Sequence, residues 1–175
     1  MFDTILAAAR EYLRIFVIAM LPVIELRGAI PVGILDRQPL VPVYLVALLG
    51  NTLPVPFLIL FSQQLLRWLA KFPKVGPFFQ RIIDKAVEKS HSERFQKYEL
   101  LALFTFVAIP LPGTGAWTGS LIAAILQIDW KKALPVIFAG IAAAGVIMIL
   151  LSVFVGGVAG ELFGFGTQLK DFRLF

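Results

Sequence analysis

Two ionisable residues stand where the chain offers them almost no polar company. Glu25 and Arg27 lie in LPVIELRGAIPVG (21–33), a stretch that is apolar on both sides and carries Pro22 and Pro31 together with Gly28 and Gly33. A charge at membrane depth costs about 2.5–3.5 kcal/mol on insertion scales, so an ionisable residue there is a functional candidate by default. Glu25 could carry a coupling proton if burial raises its pKa, and Arg27 could hold a phosphate or carboxylate. The structural alternative is that the two neutralise one another and only tie the fold together. Residues two apart do not face each other on a regular helix, so a direct pair requires a break in it. Proline removes a backbone donor and glycine weakens a helix, which predicts a broken, re-entrant helix through this stretch.

A second candidate set, PLPGTGAWTG (110–119), combines breakers with polar and aromatic side chains. Pro110, Pro112, Gly113 and Gly115 interrupt the helix, Thr114 and Thr118 supply hydroxyls, and Trp117 can line an amphiphile pocket or pack at an interface. Half-helix N-termini at such breaks favour anions. In lipid, the N–H and C=O groups that a break frees must be met by protein or a watery cavity. Thr114 and Thr118 could equally serve only that need. Asn51 and Gln127 read as local hydrogen-bonding groups.

The elements that must position these residues follow from hydropathy. The chain has 175 residues, 59% of them hydrophobic and 15% charged, with a mean hydropathy of +0.87. Gln38–Leu66, Leu100–Ile128 and Ala133–Gly160 carry no charge at all. Runs longer than about 18 residues read as membrane segments, which makes this an all-α polytopic membrane protein. Residues 2–20 predict a helix that is amphipathic in its first half and apolar in its second. Pro54 and Pro56 predict a kink in the first span. The breakers of Leu100–Ile128 sit near its middle and leave two arms of ~15 Å, half a bilayer each, the pattern of a hairpin that enters and leaves on one side.

Residues 67–99 form the one long polar segment, with eight Lys or Arg against four acids. Phe79, Ile82, Ile83, Ala86 and Ser90 recur at helical spacing, predicting an amphipathic connecting helix that the positive-inside tendency places in the cytoplasm. The net charge of +5 is explained by such loops and by anionic lipid rather than by nucleic acid. There is no cysteine, the single His91 lies in the polar loop, and no nucleophile–base or metal-ligand cluster is visible. The sequence therefore predicts neither an enzyme nor a cofactor.

The halves resemble each other. AMLPVIELRGAIPVGIL (19–35) aligns with VAIPLPGTGAWTGSLIA (107–123), Pro22 over Pro110, and LVPVYLVALLG (40–50) with ALPVIFAGIAA (133–143), Pro42 over Pro135. The plan is an inverted repeat of two units, each a re-entrant hairpin plus a transmembrane helix. Repeat 1 covers 1–66, the connector 67–99, repeat 2 100–160 and the tail 161–175. A site built from the two hairpin tips near mid-membrane is the transporter expectation from such a plan. Lys131 and Lys132 then lie inside, whereas four full spans would put them outside. Gly- and Ala-rich faces such as AGIAAAG (139–145) suggest a homodimer.

ELRGAIP near the N-terminus together with PLPGTGAWTG, in a chain of this length, resembles the small multidrug export protein family over nearly its whole extent. The paired hairpins also look like the DedA (VTT-domain) membrane proteins, which are linked to lipid and polyprenyl-phosphate translocation. Glu25 matches the acid of that family's first hairpin, and no arginine lies between Gly113 and Lys131. The resemblance implies a small secondary transporter or translocase of the cytoplasmic membrane, proton- or ion-coupled, that exports or flips a small amphiphile or lipid-like anion. Its partners would be membrane lipids and that substrate. A non-transporting membrane scaffold or assembly factor is the alternative.

Overall fold

The computed structural model describes residues 2–71, 77, 80, 81, 84, 93–111 and 113–162. All regular structure in them is helical: α1 (Phe2–Met20), α2 (Glu25–Leu35), α3 (Leu40–Thr52), α4 (Val55–Leu69), α5 (Glu93–Ala108), α6 (Ala116–Ile125) and α7 (Trp130–Leu162). The chain divides into two compact units, one of residues up to Asn51 with those from Ala142 on, the other of Thr52–Ile141.

In the first unit α1 packs against α2. The contact is made by small residues: a methyl group at Gly33 would lie 2.6 Å from Val43 of α3 and 3.1 Å from Ile15 of α1. Ile15, Ala19, Leu26, Ala29, Ile30, Val43 and Ala47 form its core. Tyr44 Oη donates to the Ala142 carbonyl at 3.1 Å, and its ring covers Gly145. The Arg14 guanidinium in mid-α1 meets Asp36, just past α2, at 3.2 Å.

One expectation is narrowed here. The break does not extend through residues 21–33 but is confined to 21–24, and α2 runs unbroken through Gly28, Pro31 and Gly33. Pro31 leaves the Arg27 carbonyl without its helical donor, a cost of ~3 kcal/mol in a helix interior. Burial of Leu26, Ala29 and Ile30 and the close approach at Gly33 offset it, because tertiary packing rather than propensity stabilises most protein helices.

In the second unit α6 packs on both α4 and α5. Gly119 of α6 and Gly140 of α7 each bring their backbone against Val107 of α5. Gln63 of α4 donates to the Ile128 carbonyl at 2.9 Å, and Asp129 caps α7 by accepting the Lys131 N–H at 3.0 Å. Of the connector, residues 77, 80, 81 and 84 are helical and exposed, and Gln80 bonds Asp84 at 3.0 Å. The positions at helical spacing that predict the amphipathic helix, Phe79, Ile82, Ile83, Ala86 and Ser90, lie outside the described residues, as does the tail beyond 162.

Two stretches are long and apolar enough to cross a membrane: Leu40–Trp68, with mean hydropathy 2.0, and Trp130–Val155, with 2.7. The first is α3 and α4 in series, interrupted at Leu53 and Pro54 where the prolines predict a kink. Both stretches carry large side chains outward (Leu49, Phe57, Phe61, Leu150, Phe154), bury others such as Val43, Ile59, Ile137 and Ile141, and use Gly50, Gly140 and Gly145 where a neighbour comes close. The outward apolar side chains suit a lipid surround, and the glycines suit close helix packing.

The two halves share a backbone signature. Left-handed φ occurs at Val23 (75°), Glu25 (52°) and Arg37 (56°), and ninety positions on at Gly113 (83°), Gly115 (125°) and Gln127 (54°). The same αL cap closes α2 and α6: Arg37 and Gln38 bond back to Ile34 and Gly33, Gln127 and Ile128 to Ala124 and Ala123. This register places Pro22 opposite Pro112 rather than Pro110, and Pro42 opposite Lys132 rather than Pro135. A helix's early turns accept proline at several positions, so proline is a poor marker of register.

Candidate functional site

The first break is short and its four residues, Leu21 to Ile24, are exposed. Its geometry turns on two left-handed residues. Val23 is 90% exposed and β-branched, a residue type for which positive φ is an outlier. Glu25, also left-handed, is only 2% exposed. Its N–H donates to the Leu21 carbonyl at 3.0 Å, and the next helical bond, Gly28 to Ile24, is also 3.0 Å. Glu25 thus enters α2 in its first turn, where a carboxylate is favoured by the positive end of the helix.

The left-handed step at Glu25 is what allows a residue two positions away to reach it. Arg27 Nη1 lies 3.3 Å from Glu25 Oε2, with side-chain exposures of 12% and 3%. The direct pair that a regular helix forbids is therefore present, made possible by the break. Gly28 and Pro31, expected within the break, lie half-buried inside α2. A methyl group on Gly28 would collide with the Ile24 side chain, so glycine there lets the break fold back on the helix.

The second break runs from Ile109 to Gly115, in the other unit, and is closed by its own hydroxyl. Thr114 Oγ1 lies 2.7 Å from the Ile109 carbonyl and 2.8 Å from that of Leu111, to which its single proton can donate in turn. It also accepts the Leu111 N–H at 3.3 Å. Gly113 is exposed and Gly115 buried, both left-handed. Trp117 and Thr118 are half-buried in the first turn of α6. Pro110 lies between Ile109 and the turn, and Pro112 falls outside the described residues.

Outside these sets the buried polar residues among those described are Asn51, Ser62 and Ser120. Ser120 donates to the Ala116 carbonyl at 2.6 Å within α6, and Gln127 bonds Ala124 locally at 2.8 Å, as its place at a helix end predicts. Asn51 departs from that expectation: it is fully buried, and neither amide atom has a hydrogen-bond partner. Nothing in the sequence marks it, since an asparagine near a helix end ordinarily bonds its own backbone.

Among the described residues no group of three His, Asp or Glu side chains is placed to hold a metal ion. An apolar groove of about 440 Å³ in the second unit is lined by Leu53, Pro56, Phe57, Pro135 and Phe138, away from every candidate residue. A shallower trough of about 700 Å³ follows one face of α5 from Tyr98 through Thr105 to Thr114.

Residues 25–147 match the family model described as "Putative small multi-drug export protein", a stretch that begins at Glu25 and includes both candidate sets. No curated protein and no solved structure matches the chain.

Proposed function

We infer a function from the premise that the chain belongs to the small multi-drug export protein family, a membrane protein of an export class. The reading is a secondary transporter or translocase of the cytoplasmic membrane, crossing it more than once, proton- or ion-coupled, that moves a small amphiphile or lipid-like anion. The observation that carries it is the Glu25–Arg27 pair, largely buried at a strained helix break among apolar neighbours such as Leu26, Ala29 and Ile30. Strained backbone persists where the surrounding structure over-determines it, and such places cluster at ligand and switch sites. In this mechanism Glu25 takes up the coupling proton, which frees Arg27 for an anionic head group. Loss of the proton restores the pair and returns the anion to competition. The second break supplies backbone groups and the Trp117 indole.

Several observations support a re-entrant first hairpin. The Arg14–Asp36 contact sets the middle of α1 level with the end of α2, so both arms begin at one depth. At 1.5 Å per residue the 11 residues of α2 extend ~16 Å, half of a ~30 Å hydrocarbon core. The shared signature at a ninety-residue register supports a repeat, and with one span per half that repeat would be inverted. Single cysteines test it without interference, the chain having none of its own. Gln38→Cys should label from outside and Lys131→Cys from inside. Labelling of both from one side would remove the inversion.

The scaffold reading is favoured by one observation, that Thr114 and the ion pair already satisfy much of what the breaks expose. Transport in proteoliposomes separates the two. Glu25→Gln should keep the fold and abolish pH-dependent transport. In the double variant Glu25→Gln/Arg27→Gln, recovered stability with transport still absent keeps the pair as site residues. Recovered stability with restored transport assigns it to structure. Full transport with unchanged pH dependence in both single variants would sink the mechanism.

A further inference from the structure

Asn51 is the penultimate residue of α3, fully buried, with Oδ1 and Nδ2 both lacking a hydrogen-bond partner. A carboxamide offers one acceptor oxygen and two N–H donors, and burying them unpaired is costly, whereas an apolar side chain of similar size would carry no such cost. Retention of asparagine there calls for a partner that is present in another step of the protein's work.

Its place in the first unit indicates which step. The Gly33–Val43 contact pins α2 against α3 across a short turn. Glu25 on α2 and Asn51 on α3 each lie eight residues from that contact, ~12 Å along their own helices at 1.5 Å per residue. The neighbouring residue gives independent support: a methyl group on Gly50 would lie 2.5 Å from the Phe16 carbonyl oxygen and 3.1 Å from Ala19 Cβ. The end of α3 is therefore seated against the last turns of α1, which lead directly into the break. Glu25 and Asn51 are thus two buried polar side chains that flank the end of α1, and Glu25 has Arg27 as a partner.

We propose that Asn51 is a ligand-binding residue beside the Glu25–Arg27 pair, taking an uncharged group of the solute that both donates and accepts hydrogen bonds, such as a carboxamide, while Arg27 takes the anionic group. This rests on the transport reading above and adds the chemistry of a second recognised group on the solute. The solute's N–H donates to Asn51 Oδ1 while its carbonyl accepts from Nδ2, so both orphaned atoms are satisfied at once. A quaternary ammonium head offers neither partner. A site built to hydrogen-bond its ligand rejects an analogue that cannot, because its own buried groups are then left unpaired. The full burial of Asn51 makes this conformation an occluded one, in which the amide is shut off from solvent.

The test uses the full chain in vesicles of phosphatidylethanolamine and phosphatidylglycerol, with decanamide and decyltrimethylammonium as matched probes. Asn51→Leu should melt at or above the temperature of the unaltered protein, because it removes two unpaired polar atoms. Decanamide should raise the melting temperature of the unaltered protein and bind Asn51→Leu at least about tenfold more weakly, the equivalent of one or two lost hydrogen bonds. Decyltrimethylammonium should act alike on both. If leucine proves too bulky to fold, Asn51→Ala gives the same readout of binding.

Three results would overturn the proposal: an unaltered decanamide response in the Asn51 variants, no response in the unaltered protein, or a fall in melting temperature in both variants with binding retained. The last would mean a structural amide. Because binding is read without transport, loss of decanamide binding alongside normal transport in Glu25→Gln would instead defeat the transport mechanism and leave the Asn51 assignment standing.

Discussion

At the first break the backbone turns through Val23 and Glu25, at the second through Gly113 and Gly115, and it takes left-handed φ at all four. Glycine adopts that conformation at no steric cost, while a side chain there costs roughly 1–2 kcal/mol per residue. The second break is thus relaxed and internally knitted by the Thr114 hydroxyl. The first is strained and carries a buried ion pair. The corresponding positions of the two breaks are occupied by Glu25 and Gly115, and by Arg27 and Trp117. The chain tolerates the less favourable backbone where it places its charges. On the function proposed above, that asymmetry puts the charged groups at the first break and leaves the second its backbone groups, Trp117 and shape.

The largest expected effect tests whether the charges set the two breaks apart. Arg27→Gln leaves Glu25 buried without its cation, which should cost ~3–5 kcal/mol of stability, and Glu25→Gln gains back most of it in the double variant. Trp117→Phe, at the corresponding position, should cost far less, since it removes only part of a half-buried ring. Thermal unfolding in lipid or detergent reads both. Equal losses would erase the distinction between the breaks.

Next in size is Gly115→Ala. With φ 125° and ψ −169° this buried residue occupies a region open essentially to glycine, and the substitution should cost about 1–3 kcal/mol. Gly113→Ala meets nothing within 4 Å and should cost only its left-handed strain, about 1–2 kcal/mol. Smaller again is Thr114→Val, which keeps the shape but loses the hydroxyl that knits the turn, at about 0.5–1.5 kcal/mol. A Thr114→Val loss of transport at unchanged stability would move chemistry to the second break and reverse the comparison.

Much of this was legible in the sequence for identifiable reasons. Charge-free runs mark apolar spans, and the cluster Pro110–Gly115 marks a break because its residues are breakers whatever surrounds them. The extent of the first break was not legible. Gly28, Pro31 and Gly33 read as breakers, yet all three lie inside α2, and Gly33 serves a close approach to Val43 and Ile15 that only tertiary contacts reveal. The left-handed residues of the first break are Val and Glu, types that carry no turn signal, so the ninety-residue register was hidden behind misaligned prolines. Asn51 was missed because local bonding is the ordinary fate of its type, and its burial without a partner exists only in the packed unit.

The smallest expected effect has an unusual sign, and it bears most directly on the comparison. Val23 is 90% exposed, so its side chain contributes little packing, and it holds a φ of 75° that its β-branched side chain opposes. Val23→Gly should relieve about 1–2 kcal/mol of strain and give up roughly half of that to the greater freedom of glycine in the unfolded chain. A net gain of about 0.5 kcal/mol follows, detectable as a slightly higher melting temperature. The strained step lies two residues before Glu25, and a relaxed turn would let the start of α2 sample other orientations. If strain holds the carboxylate against Arg27, the more stable variant should transport less well, the usual exchange between stability and activity at a pre-organised site. A variant that is more stable and fully active would show that Val23 is incidental. A less stable one would show that the valine side chain supports the break, and the contrast with Gly113 would then rest on Glu25 alone.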